Sequence, residues 1–155
     1  PVEPVDVAAI LQTIADEASD CGQQVTIELP RKLIVRGRHL ALKRAIANLV
    51  QNAVKYGGAA VVRARELPNE IIIAVADSGP GIPNEQLEAV FSPFYRLDDA
   101  RSRSTGGYGL GLAVARTIAR SHGGDVTLST RDAGGLQATL RLPTRVASTS
   151  TTEGA

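Results

Sequence analysis

Asn48 and Asn52 stand one helical turn apart in a segment that otherwise reads as an ordinary amphipathic helix. That segment, Leu40–Tyr56, carries Leu42, Ile46, Leu49, Val50 and Ala53 at helical spacing and is closed by Gly57-Gly58. At about 100° of turn per residue, Asn48, Asn52, Lys55 and Tyr56 share one arc and the apolar set takes the core-facing side. Asparagine is a mediocre helix former because its amide competes for nearby backbone groups. A pair of them in mid-helix therefore asks for a reason. An amide carbonyl is a hard oxygen donor suited to Mg²⁺, which keeps several waters and takes phosphate oxygens as further ligands. Lys55 adds a point charge for those phosphates. A solvated helix face is the plain alternative, and the helix alone does not choose between them.

A second block, Asp77-Ser78-Gly79-Pro80-Gly81-Ile82, follows the apolar run Ile71–Ala76. Asp77 is thereby expected at the mouth of the core. A carboxylate there can accept a hydrogen bond from the exocyclic amine of adenine. Guanine would instead present a carbonyl oxygen and leave the buried acceptor unpaired. Gly79 and Gly81 would let a flat ring approach the backbone. The competing reading is a strand-ending turn, for which Asp-Ser-Gly-Pro-Gly is good chemistry.

A third block, Gly107-Tyr108-Gly109-Leu110-Gly111-Leu112, opens a helix. Helix N-terminal N–H groups attract phosphate, and glycines permit close approach. The spacing is neither Gly-x-Gly-x-x-Gly nor a P-loop, and no strand precedes it, so dinucleotide and P-loop readings fail. Residues 95–108 read as a long loop, in which Arg96, Arg101 and Arg103 could meet phosphates or simply face solvent. Phe91, Phe94 and Tyr95 place three of the five Phe and Tyr residues within five positions. They could anchor a mobile segment at 97–106, with core filling the expectation for Phe91 and Phe94.

The remaining elements must position these blocks. Val5–Cys21 predicts a helix with Asp6 as its cap and Gly22 beyond its end. Short strands are expected at Val25–Leu29 and Leu33–Val35, and a hairpin at Ala59–Glu66 and Glu70–Asp77. A short helix is expected over Pro83–Val90, a longer one over Gly109–His122, and a last antiparallel pair over Val126–Thr130 and Leu136–Leu142. The order predicts an α+β fold, a two-layer sandwich with helices on one face of a mixed, mostly antiparallel sheet. Residues 1–143 are expected to form one domain. Residues 144–155, rich in Ser and Thr, are expected to be a disordered tail.

Composition narrows the function. Seventeen Lys and Arg against sixteen Asp and Glu leave a formal net charge of +1, without the basic footprint of a nucleic-acid binder. The single Cys21 excludes an internal disulfide. No apolar stretch reaches the roughly 18 residues of a membrane span. With no Met anywhere, residue 1 is not expected to be a natural start, and the sequence is expected to be part of a longer chain.

In chain order these three blocks, with Phe91-Ser92-Pro93-Phe94-Tyr95-Arg96 between the second and the third, resemble the N, G1, F and G2 boxes of the ATP-binding catalytic domain of sensor histidine kinases. That family lies within the superfamily shared with DNA gyrase, MutL and a heat-shock chaperone. The resemblance covers about Val5 to Pro143. The stretch Phe94–Ser104 most resembles sensors of the Cpx and EnvZ kind. The resemblance implies ATP and Mg²⁺ as cofactors, with Asn52 holding the metal and Asn48 nearby on the same face. It implies that Lys55 and Tyr56 contact phosphate or sugar, and that Asp77 reads adenine in a pocket shaped by Gly79, Gly81 and Ile82. Arg96 would approach the phosphates, the stretch Gly107, Tyr108, Gly109, Leu110, Gly111 and Leu112 would cradle them, and Thr139 would lie near the base. Asn52, Lys55 and Arg96 would carry the catalytic roles.

The departures matter as much. Hydrolysing branches place a Glu one turn before the metal-binding Asn. Here Asn48 stands there, and a neutral amide is no general base. Transfer to another group is thus favoured over hydrolysis. The family's acceptor histidine precedes a Glu on a separate helical hairpin, whereas His39 precedes Leu40 and His122 precedes Gly123. Both are expected to be structural or surface residues. The implied partners are a histidine-bearing dimerisation domain absent from this sequence and a response regulator, with no nucleic acid. The whole protein would be a membrane-anchored homodimer whose catalytic part is cytoplasmic, and this domain alone a monomer. An anti-sigma-factor-type serine kinase and a nucleotide-binding module without transfer activity are the alternatives.

Overall fold

The computed structural model describes residues 1–92 and 109–144. The chain starts with a short strand (β1, Glu3–Asp6) that runs directly into a helix (α1, Val7–Asp20). The buried stripe Val7, Ile10, Leu11, Ile14 and Ala18 is the one the spacing predicts. Asp6 caps α1, accepting from the backbone N–H of Ala8 at 3.1 Å, and accepts equally from the N–H of Leu33 at 3.1 Å. One carboxylate thus ends the strand, starts the helix and fastens both to the next segment.

That next segment departs from expectation. Strand β2 (Gln24–Glu28) enters the main sheet, but β3 (Ile34–Gly37) pairs antiparallel with β1 in a separate two-stranded ribbon, with Val5 opposite Val35. The helical reading of Val5 is corrected here: Val5 lies in β1, 2% exposed. Four residues carry too little periodicity to separate a strand from the first turn of the helix that follows it.

Helix α2 (His39–Gly57) follows, then β4 (Ala59–Glu66) and β5 (Glu70–Ala76). A left-handed Gly58, φ +82°, ends α2. Beyond β5 the single short helix expected over 83–90 is two separate 3-10 turns, Asn84–Gln86 and Ala89–Phe91. A segment this short does not meet the cost of helix nucleation without a buried face of its own, and the first of these turns buries nothing. Helix α3 (Gly109–Ser121) and the hairpin β6 (Asp125–Thr130) and β7 (Leu136–Pro143) complete the described chain.

The main sheet has five strands in the order β2-β4-β5-β7-β6, with β2 and β4 parallel and the other neighbours antiparallel. Alternation decides its faces. Ile71, Ile73 and Val75 of β5 and Leu136, Ala138, Leu140 and Leu142 of β7 enter the core against the helices. Their alternates, such as Ala74 and Thr139, lie on the other face. The fold is the expected α+β arrangement of helices against a mixed sheet. His122 is structural, as expected. Its Nε2 accepts from the Arg38 backbone N–H at 3.1 Å, which leaves Nδ1 to donate to the Ile118 carbonyl at 2.8 Å. This ring joins the end of α3 to the start of α2.

Two leucines of α2 separate packing from exposure. Leu49 is 1% exposed in the core, whereas Leu40 is 79% exposed. Leu49→Ala is expected to cost about 2–5 kcal/mol, and Leu40→Ala to stay within about 0.5 kcal/mol of wild type. Urea unfolding of both variants checks this contrast.

Candidate functional site

The site is built around the C-terminal half of α2. Asp77, just past β5, is the only charged side chain buried among the described residues, at 7% exposed. Its Oδ1 accepts from the N–H of Gly79 at 2.9 Å and of Leu136 at 3.3 Å. Among the described residues nothing donates to Oδ2. Burial pushes the Asp77 carboxyl above the ordinary aspartate range, against the opposing pull of those two N–H groups and of the Arg131 charge. A desolvated carboxylate with one unclaimed oxygen is a site for a hydrogen-bond donor from outside the fold.

Missing side chains let the surrounding backbone come this close. A Cβ on Gly57, the last residue of α2, would overlap the Asp77 side chain, and one on Gly79 would lie 2.6 Å from the Tyr56 carbonyl. Across the hairpin, Gly135, φ +97°, is pressed so tightly that a Cβ there would overlap the Asp77 carbonyl. Arg131 Nη1 donates to that same carbonyl and to Ser78 Oγ at 3.3 Å, tying the turn after β5 to the end of β6.

The asparagines line the flank of α2. Asn48 and Asn52 are both half-buried, and neither amide has a hydrogen-bond partner among the described residues. Lys55 is exposed, with Nζ 5.7 Å from the centroid of the Tyr56 ring. The glycine-rich start of α3 comes to the same flank, where a Cβ on Gly111 would meet Asn48 Cβ at 4.0 Å. The structure therefore brings together three of the blocks: the Asn face, the Asp77 turn and the start of α3. Ile82, 3% exposed, and Leu112, fully buried, serve these segments as core anchors.

Thr139 is not brought to this junction. It is paired with Ala74 on β5 and Thr127 on β6, one step out of phase with the core-facing Leu140. Asp77, opposite Leu136, is on the helix side of the sheet and Thr139 on the open side, where Gln137 Nε2 lies 3.4 Å from its hydroxyl. Arg96, Gly107 and Tyr108 fall outside the described residues, as do Phe94, Tyr95 and the loop arginines. The sequence reading missed Gly57, Arg131 and Gly135 as site residues. Gly57 was legible only as a helix end, and the other two only as part of a hairpin turn.

Two open grooves, ≈ 610 and ≈ 600 Å³, lie away from this junction. One runs between Leu67–Glu70 and Gly123–Asp125, the other over the open sheet face beside Arg65, Ile72 and Thr139. Neither includes Asp77 or an asparagine of α2. Among the described residues no three His, Cys, Asp or Glu side chains converge to hold a metal.

A buried carboxylate thus lies beside a helix that carries two unpartnered amides, with a glycine-rich helix start at the same flank. The family model for histidine kinase-, DNA gyrase B- and HSP90-like ATPases matches residues 37–146. The chain is 43% identical over 142 residues to the sensor histidine kinase GtrS of Pseudomonas aeruginosa, covering 92% of the chain and 29% of GtrS. It is 37% identical over 136 residues to the sensor histidine kinase CpxA of Escherichia coli K12, covering 86% of the chain and 30% of CpxA. The solved histidine kinase domain of the E. coli osmosensor EnvZ superposes with a TM-score of 0.71 at 37% identity, covering 99% of the chain and 93% of that domain. The ATP-binding domain of PrrB from Mycobacterium tuberculosis gives 0.76 at 29% identity, covering 92% and 97%. The chain belongs to this ATPase family, as an ATP-binding domain of the sensor histidine kinase kind. It spans less than a third of the length of GtrS and CpxA. Among the described residues no helix is long and apolar enough to cross a membrane.

The raised Asp77 pKa has a defined consequence for stability. Its folded-state pKa lies above the unfolded value of 3.8, so ionising it opposes folding as pH rises through that window. Asp77→Asn keeps an acceptor oxygen for Gly79 and Leu136 without the charge. The variant is expected to melt at or above the wild-type temperature at pH 7 and to lose this part of the pH dependence. Thermal unfolding between pH 4 and pH 7 checks it.

Proposed function

We propose that this domain binds ATP with Mg²⁺ and presents the γ-phosphoryl group to a histidine on a dimerisation domain of the same protein. The observation that carries the reading is the buried Asp77 carboxylate with its unclaimed Oδ2. In this reading Oδ2 accepts from the adenine amine, and Gly79, Gly81 and Ile82 shape the wall against the ring. Gly57 to Asn48 is nine residues, about 13 Å along a helix axis. An extended nucleoside triphosphate can follow that path, with its base at the C-terminal end of α2 and its phosphates toward Asn48 and the start of α3.

Asn52 would supply one oxygen to the metal, with Asn48 beside it. Mg²⁺ takes most of its shell from phosphates and water, so one or two amide oxygens suffice from the protein. When bound, the metal would neutralise charge on the β- and γ-phosphates. Lys55, Tyr56 and Arg96 would add contacts to phosphate or sugar, and the N–H groups of Gly107–Leu112 would cradle the phosphates. The chain's own contribution is then positioning and charge compensation rather than covalent chemistry. Asn48, where a hydrolase needs a base, disfavours attack by water. The sensor-kinase relatives support a downstream response regulator as the eventual acceptor. In this reading residues 1–143 are the ATP-binding domain of a membrane-anchored dimer whose catalytic part is cytoplasmic.

Two measurements test this function. Isothermal calorimetry is expected to give ATP·Mg²⁺ binding with a clear preference over GTP, and Asp77→Ala is expected to remove most of that affinity. Equal affinity for the two bases would refute the role of Asp77. Asn52→Ala is expected to leave ATP affinity insensitive to Mg²⁺, measured as ATP binding with and without the metal. A wild-type Mg²⁺ dependence in that variant would move the metal elsewhere.

A further inference from the structure

Glycines let the start of α3 approach a ligand, but they also remove the side chains that would hold it in place. Gly109 and Gly111 contribute no side chains, so the position of this turn rests on the buried Leu112 and on residues further along the helix. The apolar side of α3 there is largely small, with Ala115 and Ala119 fully buried beside Leu112. Small, non-directional contacts fix the distance between helices better than they fix a sliding coordinate. A directional anchor is needed, and one stands two turns below Gly109.

Arg116 projects from α3 with its side chain only 13% exposed. Its Nη1 and Nη2 donate to the two carboxylate oxygens of Glu88 at 2.9 and 3.0 Å, a bidentate fork. Its Nε donates to Asp125 at 3.1 Å, at the start of β6. The flat guanidinium lies over the Phe91 ring, 4.0 Å from its centroid. One side chain thus joins α3 to the 3-10 turn at Ala89–Phe91 and to the edge strand of the sheet. The chain leaves that turn at Ser92 and enters α3 at Gly109, so the same guanidinium ties the two described ends of the intervening segment. The pairing also holds the Glu88 carboxyl below the ordinary glutamate range, chiefly through its hydrogen bonds with Arg116.

We propose that Arg116 is a positioning residue for nucleotide binding: its fork to Glu88 and its stacking on Phe91 set the register of the glycine-rich start of α3 against Asn48. The proposal rests on the nucleotide reading above and adds to it a residue that touches no part of the proposed ligand path. It differs from a purely structural account in one respect. Glu88 is 77% exposed, and without it Arg116 still keeps its bond to Asp125, so the stability at stake in Glu88 is small. If the pair is only structural, removing Glu88 changes almost nothing. If it sets register, removing Glu88 weakens ATP while the fold stays intact.

The experiment is calorimetric ATP·Mg²⁺ binding by the wild-type chain and by Glu88→Ala, Arg116→Lys, Arg116→Ala and the double variant Glu88→Ala/Arg116→Ala, with melting temperatures measured in parallel. Glu88→Ala is expected to melt close to wild type yet bind ATP about tenfold more weakly. Arg116→Lys keeps the charge but cannot fork to both oxygens, and is expected to lose a similar factor. The double variant is expected to bind no more weakly than Arg116→Ala, because the two residues act as one unit. Wild-type affinity in both Glu88→Ala and Arg116→Lys, or losses that simply add in the double variant, would overturn the proposal while leaving the nucleotide reading standing. No ATP binding by the wild-type chain would overturn both.

Discussion

A single carboxylate held out of water sets the terms for this structure. Asp77 directly follows a core strand, in phase with Ile73 and Val75, and is buried on the same side. Two backbone N–H groups satisfy one oxygen and leave the other without a donor among the described residues. The arrangement works against stability, as the raised pKa records. Such a cost persists where function needs the group. Three backbones then crowd around it, from α2, from the turn after β5 and from the final hairpin. Each approach is possible because Gly57, Gly79 or Gly135 stands at the contact.

Helix α2 converts that fixed point into an elongated site. Its buried face, from Leu42 to Ala53, is locked into the core, which orients the half-buried asparagines toward one flank. The C-terminal end of the helix meets Asp77 and its middle meets Gly111 of α3. A rigid element thus spans the distance between a group suited to a base and groups suited to phosphates. Sites carried on helices hold their geometry better than sites carried on loops. The contacts at the far end of α3, His122 to Arg38 and Arg116 to Glu88 and Asp125, hold the second helix against the first and against the sheet edge.

Much of this was readable before any coordinates. The 3.6-residue stripes of α1 and α2 and the β-rich runs of the hairpins are long enough to declare their type. The pairing of mid-helix asparagines pointed to α2 because it violates local preference, and such violations gather at working sites. The reading failed where segments are short or where phase decides. Glu3–Asp6 has too few residues to show a period, and the stretch over 83–90 lacks a second apolar turn. Thr139 lies on the open sheet face for a different reason. In a strand a shift of one residue changes the face.

Residue types and their spacing were enough to establish an α+β chain with an amide-bearing helix, a strand-ending aspartate and a glycine-rich helix start. They do so because periodicity and turn chemistry act over neighbours in the chain. Which residues enclose the aspartate was decided only in three dimensions. Gly57, Arg131 and Gly135 are ordinary helix-end and hairpin residues by sequence, and they become part of the site because sheet register sets β7 beside β5 and packing presses α2 onto both. The same holds for Arg116, whose partners Glu88 and Asp125 stand 28 and 9 residues away along the chain. Contacts at such separations depend on how layers stack, a choice that local sequence does not encode.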